Sequence, residues 1–378
     1  MLTQKIAFAA TSPFQRDLKQ RVDAYFEKTG QSRAANAGQY AKIAFWVLFT
    51  VGSWAVLLTN VAPFPVSLVL WLMVGFGLAG VGMNIGHDAI HGSTSEKPWV
   101  NGLLSWSFDV MGASSVTWRT AHNVLHHTYT NVPKIDDDIE PGPTLRFYPH
   151  DEPPRAYHRL QHIYAWGLYC LVGLLWVFHK DFMLILRKQP LTDKRAPLRD
   201  FVQVIAGKLM HALFFVAIPI AIIHQPLWQL ALGYVLMHAM GGFTLAVVFQ
   251  LAHVVEGVSF PKAQAGGKME LGWADHELIT TANFGTTKLA TFITGGLDHQ
   301  IEHHLFPRVA HCHYPALSPI VRQCAADHGL PYIHNGTFLQ AVASHTRVMK
   351  KLGRGEALAP VTMLHPPHVA APLLSAAS

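Results

Sequence analysis

The chain is poor in cysteine and in charge, and it lacks every common nucleotide or hydrolase motif. Each absence removes a class of explanation. Only Cys170, Cys312 and Cys324 occur in 378 residues, with no CxxC pair, so no disulfide framework is implied and a reducing, cytosol-facing catalytic side fits. Charged residues make up 14% of the chain and hydrophobic ones 50%, which is apolar for a soluble protein of this length. No P-loop, no GxGxxG after a strand and no GxSxG is present, so neither a bound NAD(P)H or flavin nor a serine-nucleophile site is expected. The net charge of +6 is modest, and in so apolar a chain it reflects topology rather than nucleic-acid binding. No cleavable signal peptide is evident, because the first apolar run starts near Ile43 after a polar lead.

What is present are long charge-poor runs. Residues 43–61, 66–83, 201–223 and 227–251 each approach or exceed the roughly 20 helical residues that cross a hydrocarbon core. The sequence therefore predicts an all-α integral membrane protein with four spans. Residues 1–39 are expected as a polar cytosolic lead, residues 40–353 as the functional domain, and the Ala/Pro/Ser/Leu-rich residues 354–378 as a disordered tail. A fifth run, 163–178, is only 16 residues long and stops at His179-Lys180-Asp181.

Three histidine clusters lie beyond the ends of these runs: His87-x-x-x-His91, His122-x-x-x-His126-His127, and His299-Gln300-x-x-His303-His304. Imidazole is the commonest metal ligand and suits iron, zinc and copper. At this histidine frequency HxxxHH is expected about 0.1 times by chance; it occurs twice. So many ligands exceed the need of one ion and point to a two-metal centre held by a helical cap at the membrane face.

One shared centre requires all three clusters on one side, hence an even number of crossings between the second and third. Three apolar runs intervene, so the shortest, 163–178, is expected as an interfacial or re-entrant helix. The connections around 60–65 and 224–227 contain no Lys or Arg, while the cluster side holds nearly all of them. That places both termini and the clusters in the cytosol. From Pro65 to His87 a helix rises about 33 Å, and from Leu227 to His253 about 39 Å, so His253 arrives at the height of His87 and becomes a ligand candidate. Lys208, near the cytosolic end of its run, snorkels or faces a polar pocket.

In the third cluster the register is open. His299, His303 and His304 fit HxxxHH, whereas Gln300, His303 and His304 share one helical face. Asp88, the run Asp136-Asp137-Asp138, Glu256, Asp298 and Glu302 are candidates to accept the free N–H of a ligand imidazole. His211, His224 and His238 read as packing or far-side residues, and His150, His158, His162, His179, His311 and His313 as surface or interface residues. His276 stands between these readings.

The segments Gly86-His-Asp-Ala-Ile-His91-Gly, His122-Asn-Val-Leu-His-His127-Thr-Tyr-Thr-Asn131 and Gly295-Gly-Leu-Asp-His-Gln-Ile-Glu-His-His-Leu-Phe-Pro307 closely resemble the membrane fatty acyl desaturases, over roughly residues 40–330. Gln300 at the head of the third box resembles the front-end, linoleoyl-CoA-type branch, as do Phe249 to Glu256 and Trp273 to Phe284. The resemblance implies a non-haem centre of two iron ions, with O2 as co-substrate and a C=C bond introduced into an acyl chain. It implies His87, His91, His122, His126, His127, His253, His303 and His304 as ligands, with Gln300 a weak or water-mediated ninth. Asp298 stands where the family often has Asn, Glu277 where it often has Gln, and Phe249 where some members carry Asn. No fused cytochrome b5 module fits in the 39 residues before the first run, so the expected partners are an external donor (ferredoxin, or cytochrome b5 with a reductase) and an acyl lipid linked to CoA, a carrier or a glycerolipid. Two other outcomes remain at this stage: hydroxylation, ketolation or acetylenic-bond formation on the same scaffold, and metal transport, whose sites sit near the bilayer midplane rather than beyond the span ends.

Overall fold

A computed structural model describes residues 6–188 and 194–359. Four helices are long and apolar enough to cross a membrane: Ala37–Leu58, Phe64–His91, Leu198–Ile222 and Leu227–His253. Asn36 caps the first by accepting from the Gln39 amide, and the chain turns at Asn60, which holds a positive φ of 60°. Pro65 opens the second, where its missing N–H costs nothing. The second and fourth spans are the inner pair, with 67% and 44% of their apolar windows buried against 22% for the first and third. The outer pair turns Leu48, Val51, Val202 and Leu209 outward, as lipid-facing helices do.

The inner pair meets backbone to backbone. A Cβ on Gly75 would run into the Met237 carbonyl oxygen, and one on Gly233 into the Trp71 indole. Close approach over glycine is how helices gain packing in a solvent that gives no hydrophobic drive. Gly75→Ala is expected to destabilise the protein by about 1–3 kcal/mol through overpacking, read as a lower unfolding temperature in detergent; an unchanged transition would contradict this crossing.

Two short connections face each other at one end of the bundle. Asn60 Nδ2 donates to Ile222 O (2.8 Å), the His224 amide donates to Asn60 Oδ1 (2.7 Å), and Gln225 Nε2 donates to Ser67 Oγ (2.8 Å). All the histidine boxes gather at the opposite end. The fifth apolar run departs from the single helix expected over 163–178: it is two arms, Ala156–Tyr169 and Val172–Leu186, bent by 69°. The elbow is pressed on the fourth span, where a Cβ on Gly173 would lie 2.9 Å from His238 O. Both arms end on the histidine side. Gln161 Nε2 donates to Arg146 O (3.1 Å) and Met349 O (2.7 Å), while Arg187 forks onto Asp137 and Lys180 lies 3.5 Å from Asp138. The pair therefore dips in and returns. Lys208 faces a polar pocket, donating to Asp181 (2.6 Å), Gly112 O (2.6 Å) and Trp176 O (2.9 Å).

The helical cap over the boxes uses more of the chain than its polarity suggests. Within the lead, Pro13–Thr29 is a helix with Ser12 as N-cap and Gly30 (φ 62°) as C-cap. Its Phe14, Leu18, Val22 and Phe26 recur every fourth residue and are buried against Leu278, Leu317 and Val321. Of the tail expected to be disordered, residues 360–378 lie outside the described residues, and Arg354 and Gly355 close the helix Phe338–Arg354. Among the described residues the paired strands are Asn283–Phe284 beside His334–Asn335, parallel, and Ala7 makes an isolated bridge with Lys268.

Candidate metal centre

The second span delivers the first box. Its helix loosens to π geometry over Gly82–Gly86, just before His87, and ends at Gly92 with φ 74°. The second box lies on another π stretch, Arg119–His126, continued by a His127 amide bond to His122 O (2.9 Å). In α geometry His122 would share a face with His126. The i→i+5 pattern instead brings His127 beneath His122, and their Nε2 atoms lie 3.1 Å apart. The third box is the short helix Gln300–Leu305, with His299 outside it at the N-cap. The fourth span ends on His253.

Two groups of imidazoles result. His87, His91, His122 and His303 form one, and His126, His253 and His304 the other; within each, one ring nitrogen per residue lies within 4.8 Å of the others. The Nε2 atoms of His87 and His303 approach to 3.1 Å. His127 sits between the groups, its ring 4.3 Å from His304 and 4.5 Å from His303. Gln300 joins the second group, its amide 3.2 Å from His253 Nε2 and 3.5 Å from His304 Nε2. His299 turns the other way, 3.7 Å from Glu302 and 3.9 Å from Asp298.

A metal fits what these atoms lack. His91 Nε2, His126 Nε2 and Gln300 Oε1 are buried without any hydrogen bond, a costly state for polar atoms. The outward nitrogens, by contrast, are held. His126 Nδ1 donates to Asp136 (2.9 Å), His122 Nδ1 to Asp138 (3.2 Å), His304 Nδ1 to Glu277 (2.8 Å) and His87 Nδ1 to Asp88 (3.3 Å). Tyr314 Oη lies 3.2 Å from His303 Nδ1, and Trp118 stacks on His122 at 3.8 Å. Each partner fixes a tautomer and aims the other nitrogen inward.

Electrostatics agree with a neutral imidazole set. Burial first, then the neighbouring imidazoles, push His122, His127, His303 and His304 well below the usual histidine range. Burial also opposes charge on His126, but the Asp136 carboxylate outweighs it and holds this ring above its ordinary value. A ring so paired is a more basic ligand once a metal replaces its proton.

The structure reorders the expected outer layer. Asp88 stands against His87, and Asp136 and Asp138 stand against box two. Asp298 and Glu302 do not touch the grouped imidazoles: Asp298 accepts from Thr291 and Thr294 (2.8 Å each), and Glu302 from Asn283 (2.7 Å) and Tyr332 (2.8 Å). They anchor the segment that carries the third box. Glu256 is away from the centre, paired with Arg347 at 2.6 Å and Lys351 at 3.5 Å. His311, read as a surface residue, is buried and 2.7 Å from Asp88 Oδ2. His158 and His313 are likewise buried, whereas His276 bonds Thr130 O (2.8 Å) and joins neither group. His211 and His238 pack as expected, 3.2 Å apart, with Tyr234. Spacing offered no signal for His311, Tyr314 or Trp118, since only tertiary contact places them.

Glu277 merits a direct test. Burial pushes its carboxyl well above the usual range, and Oε2 faces both Thr130 (2.8 Å) and His304. A neutral amide of the same shape keeps that acceptor. Glu277→Gln is expected to retain bound metal within a few-fold, while Glu277→Leu loses about 10–100-fold in metal affinity. Metal retention against a chelator series measures both; equal losses would contradict the acceptor role.

A family model described as fatty acid desaturase matches residues 62–336. The sn-1 linoleoyl-lipid 6-desaturase of Synechocystis sp. is 34% identical over 361 residues, covering 94% of this chain and 99% of that protein. The acyl-lipid (8-3)-desaturase of Physcomitrium patens is 35% identical over 94% of this chain and 74% of its own length. The acyl-lipid (8-3)-desaturase of Mortierella alpina is 28% identical over 92% and 79%.

Proposed function

The chain belongs to the fatty acid desaturase family, and on that premise we propose that this membrane oxidoreductase introduces its C=C bond into a lipid-linked acyl chain at two irons held by the grouped histidines. The carrying observation is the pair of imidazole sets, His87/His91/His122/His303 and His126/His253/His304, with His87, His122, His126, His303 and His304 each backed by an outer partner. His127 and Gln300 complete the ligand set between and beside them. Asp88, Asp136, Asp138 and Glu277 orient the rings, and Asp298 and Glu302 hold the third box in place.

Iron bound here supplies O2 reduction and an oxidant strong enough to take hydrogen from an unactivated carbon. Adjacent carbons lose two hydrogens. Those two electrons and two from an external donor, with two solvent protons, reduce O2 to two waters. The chain's own residues keep the ligands neutral and aimed, and the buried site excludes water from competing reactions. Ferredoxin, or cytochrome b5 with its reductase, is the donor. The clusters and both termini face the cytosol, because the far-side connections at 60–65 and 224–227 carry no Lys or Arg.

The reaction is tested by gas chromatography–mass spectrometry of the lipids of an expressing host. One acyl species should gain one double bond, found at the same position in every lipid that carries it. A hydroxyl, keto or triple-bond product would assign the same scaffold to a different oxidation.

A further inference from the structure

A cavity of about 610 Å³ opens beside the centre, between the start of the first span, residues 286–292 and the helix Tyr314–Asp327. That volume falls within the usual range for small-molecule sites. Lys42, Lys288 and Arg322 line it, and no Asp or Glu does. Among the described residues none of the three meets a carboxylate. Lys42 Nζ reaches only Thr291 O (3.4 Å) and the Phe292 ring (6.0 Å), Arg322 lies over the Tyr332 ring (5.7 Å), and Lys288 is exposed. Other cations of the cap do pair, as Arg21 with Asp17 and Asp327, and Arg347 with Glu256.

The same cavity reaches the metal ligands through one side chain on each of two sides. Gln39 lines it and donates to Asp88 Oδ2 (2.7 Å), and Asp88 contacts His87. His299 lines it too, buried with no hydrogen bond at Nδ1, which lies 3.7 Å from Glu302, and precedes Gln300. Phe292 adds apolar surface. Thr286, at the rim, holds a φ of 27° in the left-handed region, strain of the kind found at ligand clamps.

We propose that this cavity binds the phosphate of the acyl donor's head group, so that the substrate is a phosphate-bearing acyl lipid rather than an uncharged one. The inference rests on the desaturase reading. An uncharged head group would leave three cations without an ion-pair partner, whereas a phosphate offers several acceptor oxygens to converging donors. A phospholipid and an acyl-CoA share this chemistry. A protein partner would need a flatter and larger surface than this concavity.

The test uses iron-loaded enzyme with one acyl chain presented on phosphatidylglycerol, on CoA, or on monogalactosyldiacylglycerol. The variants are K288Q/R322Q, K42Q and K42R. The KM for a phosphate-bearing donor should rise on the order of tenfold in K288Q/R322Q and in K42Q, with kcat within about twofold, and K42R should restore it. Whichever donor shows the shift, phospholipid or CoA, identifies the source. Unchanged KM for both, an equal shift for the galactolipid, or a loss confined to reduction by the electron carrier would overturn the proposal. A parallel arm measures equilibrium binding of short-chain phosphatidylglycerol and of CoA to the holoenzyme. If no lipid is desaturated, the functional reading fails while this arm still decides the cavity: weaker binding in K288Q/R322Q supports it, and unchanged or absent binding overturns it.

Discussion

Replacing His303 with alanine is expected to lower turnover by about 10³-fold or more and to remove about one of two irons. His303 is fully buried, its Nε2 is 3.1 Å from His87 Nε2, and Tyr314 holds its other nitrogen at 3.2 Å. No neighbouring side chain is free to take its place, because His87, His91 and His122 already serve the same point. His299→Ala is the matched control. That residue is also buried, yet it faces Asp298 and Glu302 instead of the grouped rings, so its removal should leave iron content unchanged. Iron analysis and product formation in both variants check this together; full activity in His303→Ala would remove it from the ligand set.

Asp136→Ala carries the second largest expected effect. The Asp136 carboxylate accepts from His126 Nδ1 (2.9 Å), the Asn131 amide (2.8 Å) and the Asp138 amide (2.9 Å). Asn131 itself sits at φ 57° and donates to His253 O (2.9 Å) and Thr280 O (3.1 Å), tying the second box to the end of the fourth span. Losing the carboxylate frees the His126 ring and leaves the buried Asn131 amide and the half-buried Asp138 amide without their acceptor. Metal affinity should fall about 10–100-fold, and the orphaned Asn131 amide costs about 1–3 kcal/mol more in stability. Asp136→Asn keeps one acceptor oxygen and should fall between wild type and Ala. Chelator titration followed by thermal unfolding separates the two contributions; wild-type behaviour in Asp136→Ala would contradict the orienting role.

What the sequence made legible was set by periodicity and length. Charge-poor runs coincide with the four helices long and apolar enough to span, within a few residues at most ends, although the second helix is longer because it continues to His91. Helix rise brought His253 to the height of His87 from outside any box, and the face shared by Gln300, His303 and His304 is the one turned to the grouped rings. Local pattern carried no trace of the π geometry of the second box, which brings His127 Nε2 to 3.1 Å from His122 Nε2. Nor did it carry the contacts made across the fold. His311 reaches Asp88 over 223 positions, and Glu277 reaches His304 from a different helix. The Pro13–Thr29 helix was hidden by its charged outer face, since four buried residues among seventeen leave its composition polar.

The central claim is a pair of irons held by histidines from four separate segments. Elemental analysis of the purified wild-type enzyme, reconstituted anaerobically with ferrous iron and freed of loose metal, tests it most directly. The account predicts about two irons per chain, falling to about one in His303→Ala. One iron per chain in the fully active wild type, or activity that tracks zinc in place of iron, would contradict it.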